Sequence, residues 1–323
     1  MQRKINRKFK RESTVPKVNV SQDSYTMSEM FERFMMLKKS EGLARRTIQE
    51  YYNNYEYFLR YTGGDLKQEE LTMELFCGWI SHMAEEMELA PATINIRVRT
   101  MRSFVRFCYE EKGWISEPIH KRFKPVKAPI DNVESLTPEE IRRLLGAIDE
   151  NSYTGFRTKV IVFVLLDTMV RVSELVDIKR QNIDLKQGLI QLEASDTKTR
   201  VARVVPLSLK TIKMVEDYLQ ETAEFGSEYA FLTYEGERIS EATVRDNLAL
   251  YGKVARITNK RVSPHTFRHT AALFYIMNGG DPFSLQRILG HSHMNMVRRY
   301  IQMTNKDVQV QHNAFSPVNY LYK

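Results

Sequence analysis

At 323 residues the chain is long enough for two domains, and its 42% hydrophobic content can fill proper cores. Its formal charge of +8 and pI near 9.3 point to a polyanionic partner, most often nucleic acid. Two cysteines, Cys77 and Cys108, rule out a disulfide framework or a cysteine zinc site, and the longest apolar run, "VIVFVLL" at 160–166, is far short of the roughly 20 residues of a membrane span.

Residues 1–23 are basic and then polar, without a hydrophobic period, and are expected to form a flexible tail with an electrostatic role. No apolar segment follows the cations, so this is no signal peptide, and a reducing cytoplasm is the expected location. From 24 to 112 the pattern is helical, with helices near 26–40, 44–61, 71–87 and 91–111 separated by turn residues such as Gly63–Gly64. In the fourth, Ile94, Val98, Met101, Phe104, Val105 and Cys108 share one side. Arg99, Arg102 and Arg106 lie within an arc of about 60° on the other. Such a stripe is either a solvated face or a grip on a phosphate backbone. Arg45 and Arg46, opening the second helix, join it as candidate DNA-binding residues.

Prolines 118, 125 and 129 and several cations mark 113–135 as an extended linker. A second domain, 136–304, begins at "LTPEE", where Thr137, Pro138 and Glu140 form a capping box with proline in the first turn. A helix over 157–169 leads to Arg171. Two β patterns follow, "LIQLE" (189–193) and "ARVVPL" (202–207), and then helices near 208–223, 240–255, 264–278, 282–289 and 294–303. The expected fold is mainly α with a small antiparallel sheet.

Three features carry chemistry. Arg171 lies between apolar residues, where burial requires an ionic partner such as Glu174 or an anionic ligand. In "SPHTFRHT" the residues His265, Arg268 and His269 share a helix face. A zinc-protease pattern would carry glutamate where Thr266 stands, and Arg268 would crowd a metal with positive charge. His, Arg and a helix N-terminus together suit a phosphate. Lastly, "ILGH" ends a helix at Gly290, His291 follows, and Tyr300 comes nine residues later behind Arg298 and Arg299. A phenol becomes a useful nucleophile at neutral pH only where cations favour the phenoxide, and those cations would also stabilise an attacked phosphodiester.

The ordered set of Arg171, a hairpin lysine, "HTFRH", "LGH" and Tyr300 resembles the tyrosine recombinases, the phage-integrase-like site-specific DNA recombinases. The resemblance covers 137–303 in detail and the N-terminal region loosely. It implies a two-domain DNA clamp: a four-helix core-binding domain (24–112) and a mixed α/β catalytic domain (136–304). By position it implies that Arg171 and Arg268 clamp the scissile phosphate and that Glu174 supports the first arginine. Lys198 protonates the departing 5′ oxygen, with Arg200 and Arg203 nearby. His265 handles protons, His291 donates to the phosphate, and Tyr300 forms a 3′-phosphotyrosine. No metal, ATP or other cofactor is implied. Expected partners are double-stranded recombination sites and further copies of the chain, as a tetramer on DNA. The tail 305–323, with Val308, Val310, Phe315, Val318 and Leu321, is the segment expected to dock on a neighbouring protomer. Met169 stands where the family usually has glycine, which implies altered helix packing. The expected role is integrase or transposase of a mobile element. The alternatives are a type IB topoisomerase-like activity and a non-catalytic sequence-specific DNA-binding protein.

Overall fold

The computed structural model describes residues 25–128, 134–194, 201–290, and Met294, Val297, Arg298, Tyr300, His312, Asn313, Ser316 and Val318. The chain divides into two units, Met1–Ile130 and Asp131–Lys323.

In the first unit, helix starts follow local capping. Thr26 accepts the Glu29 amide while the Glu29 carboxylate accepts the Thr26 amide, opening α1 (Met27–Ser40). α2 (Arg45–Thr62) ends at Gly63, whose φ of 71° is left-handed. α3 (Met73–Ser81) runs into a π-turn at His82–Glu86, so the single helix expected over 71–87 is regular only in its first part. α4 (Pro91–Glu110) starts with proline in the first turn.

The core of this unit is aromatic. Phe31 stacks on Tyr55 at 3.8 Å between ring centroids, and Phe58 stacks on Phe76 at 5.0 Å. Phe123 extends that stack, lying 4.5 Å from Phe76. The residues between 113 and 126 are therefore not the extended linker expected from their prolines. Ile115, Ile119 and Phe123 are buried, and Ile119–Lys121 forms a 3₁₀ turn. All three belong to the core of this unit, and burying them outweighs the prolines' preference for extended chain.

The second unit opens with α5 (Pro138–Ala147), which has the expected capping box: Thr137 accepts the Glu140 amide and Glu140 accepts the Thr137 amide. α6 (Tyr153–Thr168) starts four residues before the expected position 157 because Ser152 caps it through the Gly155 amide. It ends at Met169, whose φ of 53° is left-handed. A five-residue α7 (Val172–Val176) follows. β1 (Ile183–Asp184), β2 (Leu189–Leu192) and β3 (Arg203–Pro206) form an antiparallel sheet in that order, with Ile190 opposite Val205. β1 has only two residues, too few for an alternating pattern to be read. α8 (Leu209–Glu221), α9 (Glu241–Val254), α10 (Pro264–Met277) and α11 (Pro282–Leu289) complete the unit. The helix expected at 294–303 falls largely outside the described residues, and its described positions Met294, Val297 and Tyr300 are linked by turn hydrogen bonds.

The main core of this unit joins α6, the sheet and α8–α10 through Val160, Leu165, Ile190, Val205, Val215, Leu248 and Phe267. Beside it, Met169, Ala271, Ala272, Leu285, Leu289, Val297 and Tyr300 form a smaller apolar cluster. Among the described residues, no helix is long and apolar enough to cross a membrane.

Candidate active site

Arg171 caps α7 rather than lying within a helix. Its amide donates to Glu174 Oε2 and its Nη1 to Oε1, both at 2.8 Å. Glu174 is 1% exposed and also receives Arg203, whose Nη1 and Nη2 donate to Oε1 and Oε2 at 3.1 and 2.6 Å. One buried carboxylate thus joins two arginines from different elements. Burial alone would raise its pKa. Hydrogen bonds from Arg203 and the Arg171 amide, with both positive charges, outweigh burial and hold the carboxyl below the usual range.

Arg203 also donates from Nε to the Ile288 carbonyl at 2.9 Å, tying β3 to α11. Gly290, with φ of 64°, caps α11 where a Cβ would come within 3.1 Å of the Arg203 side chain. Both the left-handed backbone and this close approach call for glycine. Sequence reasoning gave Arg203 no role of its own. Its signal was strand alternation, because Arg203 shares the inward face of β3 with buried Val205.

Arg268 is 6% exposed. Its Nη1 donates to the Met169 carbonyl and its Nη2 to the Leu289 carbonyl, at 2.5 and 2.7 Å. The left-handed turn at Met169 therefore presents a carbonyl to the second arginine. Met169 is 3% exposed and its side chain belongs to the smaller cluster with Tyr300. Burial and the neighbouring Arg171 charge press the Arg268 pKa down to about 9, an environment that favours an anion beside it.

Tyr300 is 7% exposed, and its hydroxyl meets His269 Nδ1 at 2.5 Å. The far side of that imidazole, Nε2, lies 2.6 Å from His265 Nε2. Burial, with Arg268 close by, holds His265 below the usual histidine value. Sequence reasoning noticed His269 only as one half of a helical histidine pair; its contact with Tyr300, 31 positions away, had no local signal. Among the described residues, no group of three His, Cys, Asp or Glu side chains could hold a metal ion.

The structure thus brings Arg171, Glu174, Arg268, His265 and Tyr300 into one unit, with Arg203 and His269 added. Lys198 and His291 lie outside the described residues, although β2 and β3 on either side of the lysine turn are described. In the first unit, Arg99, Arg102 and Arg106 line one concavity with Ser103 and His120. Arg99 and Arg106 are exposed, whereas Arg102 is half-buried and donates from Nε to the His120 carbonyl at 2.9 Å. Arg45 and Arg46 are exposed at the start of α2, and Arg46 pairs with Glu50 at 3.6 Å.

The chain is 31% identical over 283 residues to tyrosine recombinase XerA of Thermococcus onnurineus, covering 86% of this chain and 92% of that one. It is 26% identical over 291 residues to tyrosine recombinase XerC of Thermodesulfovibrio yellowstonii, covering 88% and 94%. Among solved structures, the Tn1549 transposon integrase in complex with transposon right end DNA matches 90% of this chain and 100% of that one, with a TM-score of 0.76 at 16% identity. A lambda integrase dimer bound to a core site matches 86% and 77%, with a TM-score of 0.72 at 18% identity. These two likenesses establish a common fold. The phage integrase family model matches residues 134–307, more than half of the chain and all of the described site. The chain belongs to the phage integrase family of tyrosine recombinases.

Proposed function

We propose that this chain cuts and rejoins DNA at specific sites through a 3′-phosphotyrosine formed by Tyr300. The observation that carries this reading is a buried phenol that acts on Arg268, with Arg171 also close enough to act on that arginine, and both arginines fixed by hydrogen bonds. Arg171 and Arg268 would neutralise the scissile phosphate and stabilise the charge that develops on attack. Their hydrogen bonds to Glu174 and to two carbonyls set their positions before DNA arrives, so little reorganisation accompanies the reaction. Tyr300 Oη would form the bond to phosphorus while the bond to the 5′ oxygen breaks, and Lys198 would protonate that oxygen. The phosphotyrosyl bond conserves the energy for religation, so no ATP is consumed. His291 would add a donor to the phosphate.

The N-terminal helices are read as a core-binding domain and the second unit as the catalytic domain, together gripping duplex DNA. Arg45, Arg46, Arg99 and Arg106 would meet its backbone. Four protomers on two sites are supported by the solved lambda integrase tetramer bound to a Holliday junction. The tail 305–323, mostly outside the described residues, would link neighbouring protomers.

The role we assign is that of a mobile element's integrase or transposase, in keeping with the Tn1549 fold. A chromosomal recombinase of the Xer type is the second reading, favoured by the curated XerA and XerC relatives.

Incubation with a nicked suicide duplex tests the chemistry. The wild-type protein should form a covalent adduct, and Tyr300→Phe should form none while still binding DNA. An undiminished adduct from the variant overturns the assignment of Tyr300. A two-site plasmid then separates recombination from simple relaxation of supercoils, the topoisomerase outcome. DNA binding with no adduct from the wild type would leave only the non-catalytic DNA-binding reading.

A further inference from the structure

We propose that His269 is the proton acceptor for Tyr300, with His265 passing the proton on to solvent. This inference rests on the phosphotyrosine reading and adds a catalytic group that the motif resemblance does not assign. Three atoms carry it: Tyr300 Oη, His269 Nδ1 at 2.5 Å, and His265 Nε2 on the opposite side of the same ring at 2.6 Å. The two imidazoles meet edge to face, with centroids 4.1 Å apart and planes at 85°.

A neutral imidazole carries one N–H, and this restricts the proton order along the chain. If Tyr300 donates to Nδ1, the His269 proton sits on Nε2 and donates to the lone pair of His265 Nε2. If the order is reversed, His265 donates to His269 and His269 donates to Tyr300. Moving one proton across each bond of the first order leaves a phenolate at Tyr300 and an imidazolium at His265, which then releases its Nδ1 proton to solvent. The step balances. The Tyr300 proton goes to His269 Nδ1 as Oη bonds to phosphorus, and the His269 Nε2 proton goes to His265 Nε2. The 5′ oxygen leaves with its electron pair and takes a proton from its own acid. On religation the order reverses, and His269 returns the proton to the departing phenolate.

Burial favours a protein acceptor. Tyr300 is 7% exposed among Met169, Leu285, Leu289 and Val297, so bulk water has little access to its hydroxyl. Nearby arginines favour the phenoxide but cannot accept a proton. His265 is exposed and gives the relay its outlet. Partial burial of its ring and the nearby Arg268 hold its pKa below the usual histidine value, so it starts as a neutral acceptor. The charged groups acting on Arg268, next along the helix from His269, are Arg171, Glu174, Arg203 and Tyr300.

The test uses the full-length protein and nicked suicide duplexes built from the DNA flanking its gene. His269→Asn keeps a polar atom near the Nδ1 position but cannot take a proton. It should slow cleavage at pH 7 by about 100-fold, the lower end for general base catalysis. The loss should shrink as pH rises from 7 to 9, because hydroxide replaces the missing base. A duplex with sulfur at the bridging 5′ position, which needs no acid to leave, should rescue Lys198→Ala and leave His269→Asn slow. Cleavage by His269→Asn at the wild-type rate, or its rescue by the sulfur substrate, overturns the assignment of His269 alone. A Tyr300→Phe variant that still forms the adduct overturns the phosphotyrosine reading with it. A second measurement does not depend on the His269 variant folding: ¹⁵N spectra of histidine-labelled wild-type protein and Tyr300→Phe. The His269 Nδ1 resonance should move on loss of the hydroxyl, and an unmoved resonance counts against the contact.

Discussion

Glu174 is the residue on which the arginines depend. It accepts from Arg171 and Arg203 while almost wholly buried, so Glu174→Ala leaves Arg203, itself 8% exposed, as a desolvated cation. We expect a loss of about 3–5 kcal/mol in chemical denaturation, the usual result of removing one partner of a buried pair. The pH dependence has a definite sign. A carboxyl whose folded-state value is depressed contributes stability that is complete above its unfolded value of about 4.3. That contribution is lost as pH falls through the folded value. Glu174→Gln should therefore be less stable than wild type at pH 7 and show a flatter stability curve below about pH 4. Met169 opposes two effects. Glycine there would relieve a left-handed backbone, worth about 1 kcal/mol, but would empty a 3% exposed side-chain site, where truncation costs about 2–5 kcal/mol. Cavity formation wins, and Met169→Gly should lower the melting temperature even though glycine suits the backbone.

At the scale of elements, α4 has an arginine stripe whose members are not equivalent. Arg99 and Arg106 are exposed, but Arg102 spends its Nε on the His120 carbonyl and pins the 3₁₀ turn at Ile119–Lys121. Replacing all three with alanine should flatten the salt dependence of DNA affinity by about two phosphate contacts rather than three, read as the slope of log K against log salt concentration. An unchanged slope would make this a solvated face. Replacing Arg102 alone should mainly lower the unfolding midpoint of the first unit. α5 depends on its cap: Thr137→Ala should cost about 1 kcal/mol, measured by denaturant titration.

At the scale of the whole molecule, the two units have separate cores, one largely aromatic around Phe31, Phe76 and Phe123, the other aliphatic around α6 and the sheet. Every described residue of the candidate active site belongs to the second. The fragment 131–323 should therefore fold cooperatively, with its own calorimetric transition, and keep the His269–Tyr300 contact while losing most DNA affinity. Failure of the fragment to unfold cooperatively would mean that its core is incomplete without the first unit.

The sequence by itself determined most of the described helices, the strand pair β2–β3 and the order of the motif residues from Arg171 to Tyr300, because capping, periodicity and turn residues act over three or four positions. What only the tertiary structure decided is which groups meet. Glu174 joins Arg203 across 29 positions, Arg268 reaches the Met169 carbonyl across 99, and His269 reaches Tyr300 across 31. These bonds are selected by burial, where an unpaired charge or hydroxyl is too costly to leave without a partner, and no local pattern along the chain records that selection.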